Sequence, residues 1–299
     1  MELVKKTETL NVNNVPVMVT RFWPKNIFGK LPGVTLIGGF STTMDGKLTQ
    51  YAEEFAKSNM ISVIFDFKNF GCSGGEPRQF VSIPSQIEDI NSVIKYALSC
   101  SDAEVSQMGL WGSSLGGSLA IRMASSNINI KAIVAQCPLI DLRLFTKITY
   151  SHLSERQIRN FRRMLFIDNL FNRFPFLKRK IPIMASKGIS ALPDPESYLM
   201  KDISGPSWRD EILLKTFTQG NIKLADPATD KENIDIPMLI QVAENDKTVS
   251  NQGIYNFVER YKSLVALEII NCGHFSIYFS PHFEICVKSA MKFLHDRLI

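Results

Sequence analysis

The sequence predicts an α/β fold built on a mostly parallel central sheet flanked by helices, and three observations carry that reading. Short runs rich in Val, Ile and Leu alternate with helical patterns along most of the chain, the order produced when parallel strands are joined by crossover helices. The later runs show little polar alternation, as expected of strands covered on both faces. The 299 residues, 45% apolar and 21% charged, suffice for one large core carrying an inserted subdomain.

The elements follow in order. Strands are expected at 9–13 and 15–22, then at 34–37, 61–67, 108–111, 130–136, 237–243 and 265–270. Between them, 47–57 has helical spacing, and Ile87, Ile90, Ile94 and Leu98 lay an apolar stripe along a second helix. Ser85 and Glu88 have the spacing of a capping box at its start. Further helices are expected at 115–125, 251–261 and 281–297.

The strand-helix alternation breaks once. Residues 141–225 contain helical patterns and no clear strand, which predicts a helical cap inserted into a core made of 1–140 and 226–299. The net charge of +5 is concentrated here: residues 141–180 hold ten Lys/Arg against three Asp/Glu, so the rest of the chain sums to about −2. Within 161–184, Phe161, Met164, Leu165, Phe166, Leu170, Phe171, Phe174 and Phe176 interleave with basic residues. This stretch reads as a cap core with a solvated cationic face, or as an acyl-binding lid, or as a docking surface for an anionic carrier or membrane.

Other classes are disfavoured. The start MELVKKTETL lacks the apolar region of a signal peptide, and no apolar run approaches the roughly 20 residues of a membrane span; a soluble cytoplasmic protein is the expectation. Cys72, Cys100, Cys137, Cys272 and Cys286 are odd in number and widely spaced, against both a disulfide framework and a zinc site. No nucleic-acid-binding module is visible behind the basic segment.

The chemistry is concentrated in three places. Met108-Gly-Leu-Trp-Gly-Ser-Ser-Leu-Gly-Gly117 runs from an apolar strand through G-x-S-x-G into a helix, the context of a nucleophile elbow, which makes Ser114 the candidate nucleophile. Its glycines let neighbouring backbone approach closely. A serine hydroxyl needs a base, and of the four histidines His274, in Asn271-Cys-Gly-His-Phe275, lies just past the last strand. His152 and His295 fall in helical patterns, and His282 follows a helix-starting proline. Asp246 follows the strand at 237–243, completing the order Ser, Asp, His. Glu244 and Asp141 are rival acids. Cys272 reads as a small buried filler rather than a thiol nucleophile. Oxyanion donors are expected at the N–H groups of Leu115, after the nucleophile, and Phe40, in Leu36-Ile-Gly-Gly-Phe-Ser-Thr42.

Together with Phe65-Asp-Phe-Lys-Asn-Phe-Gly-Cys-Ser-Gly-Gly-Glu-Pro-Arg-Gln79, these segments resemble the α/β-hydrolase superfamily over nearly the whole chain. The nearest likeness is to bacterial proteins loosely related to dienelactone hydrolases, and it extends to Pro193-Asp-Pro-Glu-Ser-Tyr-Leu199 and Ser207-Trp-Arg-Asp-Glu211. The resemblance implies the same triad and oxyanion donors. Dienelactone hydrolases themselves use a cysteine nucleophile where this chain has Ser114, so the likeness speaks for mechanism and not for substrate.

The expected function is hydrolysis of a small-molecule carboxylic ester or thioester through an acyl-enzyme, with no metal or organic cofactor. Two alternatives stand: acyl transfer, with an acyl carrier docked on the basic cap, and a non-catalytic ligand-binding homologue. A homodimer is compatible with either. Activity is expected to rise through an apparent pKa of roughly 6 to 7, the ordinary histidine range. The cap is expected to roof the acyl pocket, with Trp208 and Arg209 as candidate substrate-binding residues.

Overall fold

The computed structural model describes residues 1–125, 130–151, 153–171, 179–184, 189–229 and 234–299. His152, Phe174 and Phe176, singled out from the sequence, lie outside the described residues.

Among the described residues, eight strands form one sheet: β1 (Leu3–Val12), β2 (Val15–Pro24), β3 (Leu31–Ile37), β4 (Ile61–Phe65), β5 (Val105–Ser113), β6 (Ile130–Gln136), β9 (Met238–Ala243) and β10 (Val265–Ile270), in spatial order β1-β2-β4-β3-β5-β6-β9-β10. β1 and β2 form an antiparallel hairpin and β2 pairs antiparallel with β4. From β4 onward every pairing is parallel. A two-residue turn at Asn13 and Asn14, both left-handed, closes the hairpin, asparagine tolerating that conformation better than most residues.

α1 (Lys47–Lys57) joins β3 to β4, α2 (Ile83–Ser99) joins β4 to β5, α3 (Leu115–Arg122) joins β5 to β6, α8 (Asn251–Arg260) joins β9 to β10, and α9 (His282–Leu298) ends the chain. Because the connection from β3 steps one way across the sheet and the connection from β4 steps back the other, right-handed crossovers place α1 opposite α2 and α3. α9 packs on β5, β6 and α1, and so completes the face that α1 begins. The same reversal opens a crevice beside β3 at the carboxyl ends of the strands, where ligands bind in such sheets.

Burial follows the apolar runs. Every residue of β4 and β9 is buried, and all of β6 except Lys131. β10 departs from the expectation of two covered faces: it is an edge strand, and Ile269 is 52% exposed. Apolar composition alone does not tell an edge from a centre. The expected capping box at Ser85 and Glu88 is also corrected. α2 begins three residues earlier, at Ile83, with Ser82 in the extended conformation before it and Pro84 in the first turn, where proline is accommodated because those N–H groups have no partner in the helix.

Between β6 and β9 the chain leaves the sheet. α4 (Leu142–Thr149) and α5 (Glu155–Leu170) come first, and α5 does carry a capping box, from Ser154 and Gln157. α6 (Met200–Ile203) and α7 (Thr216–Gln219) follow. The expectation of no strand in this segment is corrected by β7 (Lys180–Ile181) and β8 (Ile212–Leu213), an antiparallel pair two residues long, too short to leave a period in the sequence.

Candidate active site

Ser114 sits between the last residue of β5 and the first of α3, with φ 55° and ψ −122°, a region costly for any residue with a side chain. The surrounding contacts hold it there. Its N–H donates to Gln136 O at 2.8 Å, and its carbonyl accepts from Ser118 N at 3.1 Å. A Cβ on Gly112 would fall 2.2 Å from Gly116 O, and one on Gly116 would fall 2.2 Å from Ile37 O. Both glycines of the G-x-S-x-G motif are therefore demanded by backbone packing, Gly112 against the first turn of α3 and Gly116 against the end of β3.

His274 lies on the loop after β10 and Asp246 on the loop after β9, and the structure brings both to Ser114. His274 Nε2 is 3.1 Å from Ser114 Oγ, and His274 Nδ1 is 2.7 Å from Asp246 Oδ2. Asp246 Oδ1 accepts the Thr248 and Val249 N–H groups, each at 2.8 Å, so the carboxylate is fixed before it meets the imidazole. Both side chains are almost fully buried. Burial pulls the imidazole pKa down, but the charge and hydrogen bond of Asp246, with Asp194 and Glu196 behind them, outweigh it and hold His274 above its ordinary value of 6.5.

The rival acids stand apart from the histidine. Asp141 caps α4, accepting from the N–H groups of Arg143 and Leu144, and Glu244 is exposed while Asp246 holds His274 Nδ1. All five cysteines are free. Burial pushes the Cys272 thiol up to about 12, consistent with a filler. Ligand atoms of Cys137, Asp246 and His274 lie within 4.8 Å of one another, but burial keeps the Cys137 thiol protonated and both Asp246 oxygens already accept hydrogen bonds, so this trio is poorly suited to hold a metal ion.

Phe40 follows Gly38 and Gly39 in the loop after β3, and Leu115 is the first residue of α3. Among the described residues, neither N–H has a hydrogen-bond acceptor, as groups reserved for an oxyanion require. Gly39 brings that loop close, since an added Cβ would lie 3.4 Å from Ser114 Cβ.

Ser114, Leu115 and Phe40 open on a cavity of about 250 Å³. Its wall is apolar: Leu139 from the sheet side, Leu142, Phe145 and Tyr150 at α4, Phe161 and Leu165 from α5, with Leu192, Phe217 and Ile222. Trp208 and Arg209 are not in this wall. Trp208 Nε1 approaches Ser41 Oγ at 3.4 Å, and Ser207 N–H and hydroxyl donate to Asp45, each at 2.9 Å. These contacts seat 205–208 on the loop after β3. Arg209 is exposed, 4.0 Å from Glu211. The wall residues that sequence reasoning missed did carry a signal: Leu142, Phe145, Thr146 and Tyr150 recur at helical spacing, one apolar stripe.

A sheet of this order, with a serine at the strained turn after β5 and a histidine and an acid at the ends of later strands, defines an α/β hydrolase. Residues 34–274 match the model of the family described as serine aminopeptidase, S33, and the chain belongs to that family of serine-hydrolase-type enzymes. It is 26% identical over 267 residues to the quorum-quenching protein AidA of Acinetobacter baumannii, covering 88% of this chain and 86% of that one. Over 110 residues it is 32% identical to the thiohydrolase aneE of Aspergillus aculeatus, 37% of this chain and 35% of that one. It is 26% identical over 110 residues to the polyketide transferase grgF of Penicillium sp, 37% of each chain. The crystal structure of the α/β hydrolase GrgF from Penicillium sp. sh18 superposes with a TM-score of 0.76 at 18% identity, over 100% of this chain and 99% of that one. Among the described residues no helix is long and apolar enough to cross a membrane.

Proposed function

We propose that the protein is a serine hydrolase that cleaves carboxylic esters or thioesters of apolar acids through an acyl-enzyme at Ser114. The observation that carries this reading is the hydrogen-bonded chain Ser114, His274, Asp246 at the mouth of an apolar cavity. His274 takes the proton of Ser114 as Oγ bonds to the acyl carbon. The oxyanion accepts the N–H groups of Phe40 and Leu115, and the bond to the alcohol or thiol breaks as His274 returns the proton to it. Water then attacks the acyl-enzyme by the same route in reverse. Asp246 keeps the imidazole oriented and favours its protonated form.

Residues 141–225 act in this proposal as the cap over the acyl group, since α4 and α5 supply much of the cavity wall. Among the described residues no carboxylate lines that wall, so none of them there would hold the α-ammonium of an aminopeptidase substrate. Acyl transfer is the second reading. It is favoured by the name of one relative, a polyketide transferase, and by the outer face of α5, where Arg159, Arg162 and Arg163 are exposed beside Phe166 and Leu170, a surface suited to an anionic acyl carrier.

The test is turnover of p-nitrophenyl esters and acyl thioesters by wild type and Ser114→Ala. Loss of about a millionfold in kcat, as for removal of such a nucleophile, supports the reading; equal turnover by the two proteins rejects it. Product partitioning between water and added alcohol or amine acceptors separates hydrolysis from transfer.

A further inference from the structure

Asp194 and Glu196 stand outside the Ser114 relay, yet each reaches one of its two loops. They belong to the run Pro193-Asp-Pro-Glu-Ser197, immediately after Ala191 and Leu192 of the cavity wall. Asp194 is buried; its Oδ1 accepts the Glu196 N–H at 2.7 Å and its Oδ2 accepts the Thr248 hydroxyl at 2.6 Å. Thr248 in turn donates its N–H to Asp246. On the other loop, Glu196 Oε2 accepts the Ser276 N–H at 3.3 Å. The Glu196 carboxylate lies against Gly273, where an added Cβ would fall 2.4 Å from Oε2. Ser276 Oγ accepts the Gly273 N–H at 2.8 Å, so the residues on either side of His274 are tied to one another and to Glu196.

We propose that Asp194 and Glu196 are positioning residues through which the inserted segment clamps the Asp246 loop and the His274 loop together, so that the base is set in place by the same stretch of chain that walls the acyl cavity. The proposal rests on the reading of Ser114, His274 and Asp246 as a triad. Two prolines flank Asp194 and restrict the backbone that presents both acids. The charged and titratable groups facing the imidazole are Asp246 from the loop after β9, Asp194 and Glu196 from the insert, and the thiols of Cys137 after β6 and Cys272 on its own loop. Burial keeps both thiols neutral, so the net field at His274 is negative and favours the imidazolium that forms as Ser114 attacks.

The experiment compares Glu196→Gln and Asp194→Asn with wild type and Ser114→Ala, reading kcat, KM and the pH profile on one p-nitrophenyl ester, with melting temperature alongside. On the plateau above the acid limb, kcat falls by roughly tenfold or more, because a small misplacement of the base suffices, while KM stays within about twofold. The midpoint of the acid limb moves to lower pH, and Glu196→Asp recovers part of both effects. Unchanged profiles in both variants overturn the clamp, as does a loss of kcat that merely follows a loss of melting temperature with the midpoint in place. If Asp194→Asn does not fold, the partly exposed Glu196→Gln decides. Equal activity of Ser114→Ala and wild type would overturn the triad reading itself; an inactive Ser114→Ala beside unperturbed acid variants would overturn only the clamp.

Discussion

Ala191 is the smallest side chain in the cavity wall and is 2% exposed, so Ala191→Leu should fill part of the acyl site without disturbing the surface. Leucine adds three carbons, and these displace about three methylenes of a substrate chain long enough to reach them. At about 0.8 kcal/mol for each buried methylene, the longest accepted ester loses about 2.4 kcal/mol of binding, or roughly 60-fold in kcat/KM. An acetyl ester, which stays near Ser114, should keep its wild-type value. The assay is kcat/KM across a series of p-nitrophenyl esters from acetyl upward, with the melting temperature recorded to show that the added carbons are accommodated in the cavity of about 250 Å³. In wild type, kcat/KM should climb by about fourfold per methylene until the cavity is full; in the variant the climb should stop earlier. A uniform loss at every chain length, or an unaltered series at unaltered stability, would refute the assignment of this cavity to the acyl group.

Three further outcomes are expected. His274 must be neutral to accept the Ser114 proton, and its pKa is raised, so the acid limb of kcat/KM should have its midpoint above 6.5. By linkage the raised pKa adds stability that is full below the unfolded value and is lost as pH rises through the folded one, so activity and this part of the stability should run in opposite directions across the same window; a midpoint at or below 6.5 contradicts the role. Burial raises the Asp66 carboxyl to about 6 from 3.8, so wild type should lose stability relative to Asp66→Asn as pH climbs through that interval, by about 3 kcal/mol, which denaturant titrations at pH 4 and pH 7 would measure. Trp208→Ala should lower stability by about 1 to 3 kcal/mol through lost packing on the loop after β3, leaving the ranking of ester substrates intact, whereas Arg209→Ala should change neither by a measurable amount; a changed ranking in either variant would return them to the substrate site.

The parts legible in the sequence were those in which a local pattern and a backbone constraint coincide. The two glycines that flank Ser114 are demanded by atoms of Gly116 and Ile37 lying where a Cβ on Gly112 or Gly116 would stand, and such a constraint leaves its mark within five residues. The parallel strands were legible because β4 and β9 are buried throughout, so nearly every position is apolar. The edge position of β10 and the pairing of β7 with β8 were not, because neither depends on residues near in sequence: an edge is defined by the strand that is missing beside it, and a two-residue strand has no period.

Substrate recognition was the least legible for a related reason. An aromatic beside a cation, as in Trp208-Arg209, stands out in a sequence, but Trp208 is spent on Ser41 and the loop that carries Phe40. The cavity is instead walled by ordinary leucines and phenylalanines whose stripe on α4 looks like any core-facing helix. The stretch 65–79, one of the segments that carried the resemblance to the α/β-hydrolase superfamily, is likewise structural. Asp66 accepts the N–H groups of Met44 and Cys72, each at 2.8 Å, and Arg78 donates to the carbonyls of Gly71 and Ser73. Through Met44, Asp66 steadies the loop after β3 from which Phe40 offers its N–H. In the proposed mechanism a stretch that supports the oxyanion site would fit any acyl group that reaches it, so it bears on the mechanism, while the choice of substrate is assigned by that proposal to the helices between β6 and β9.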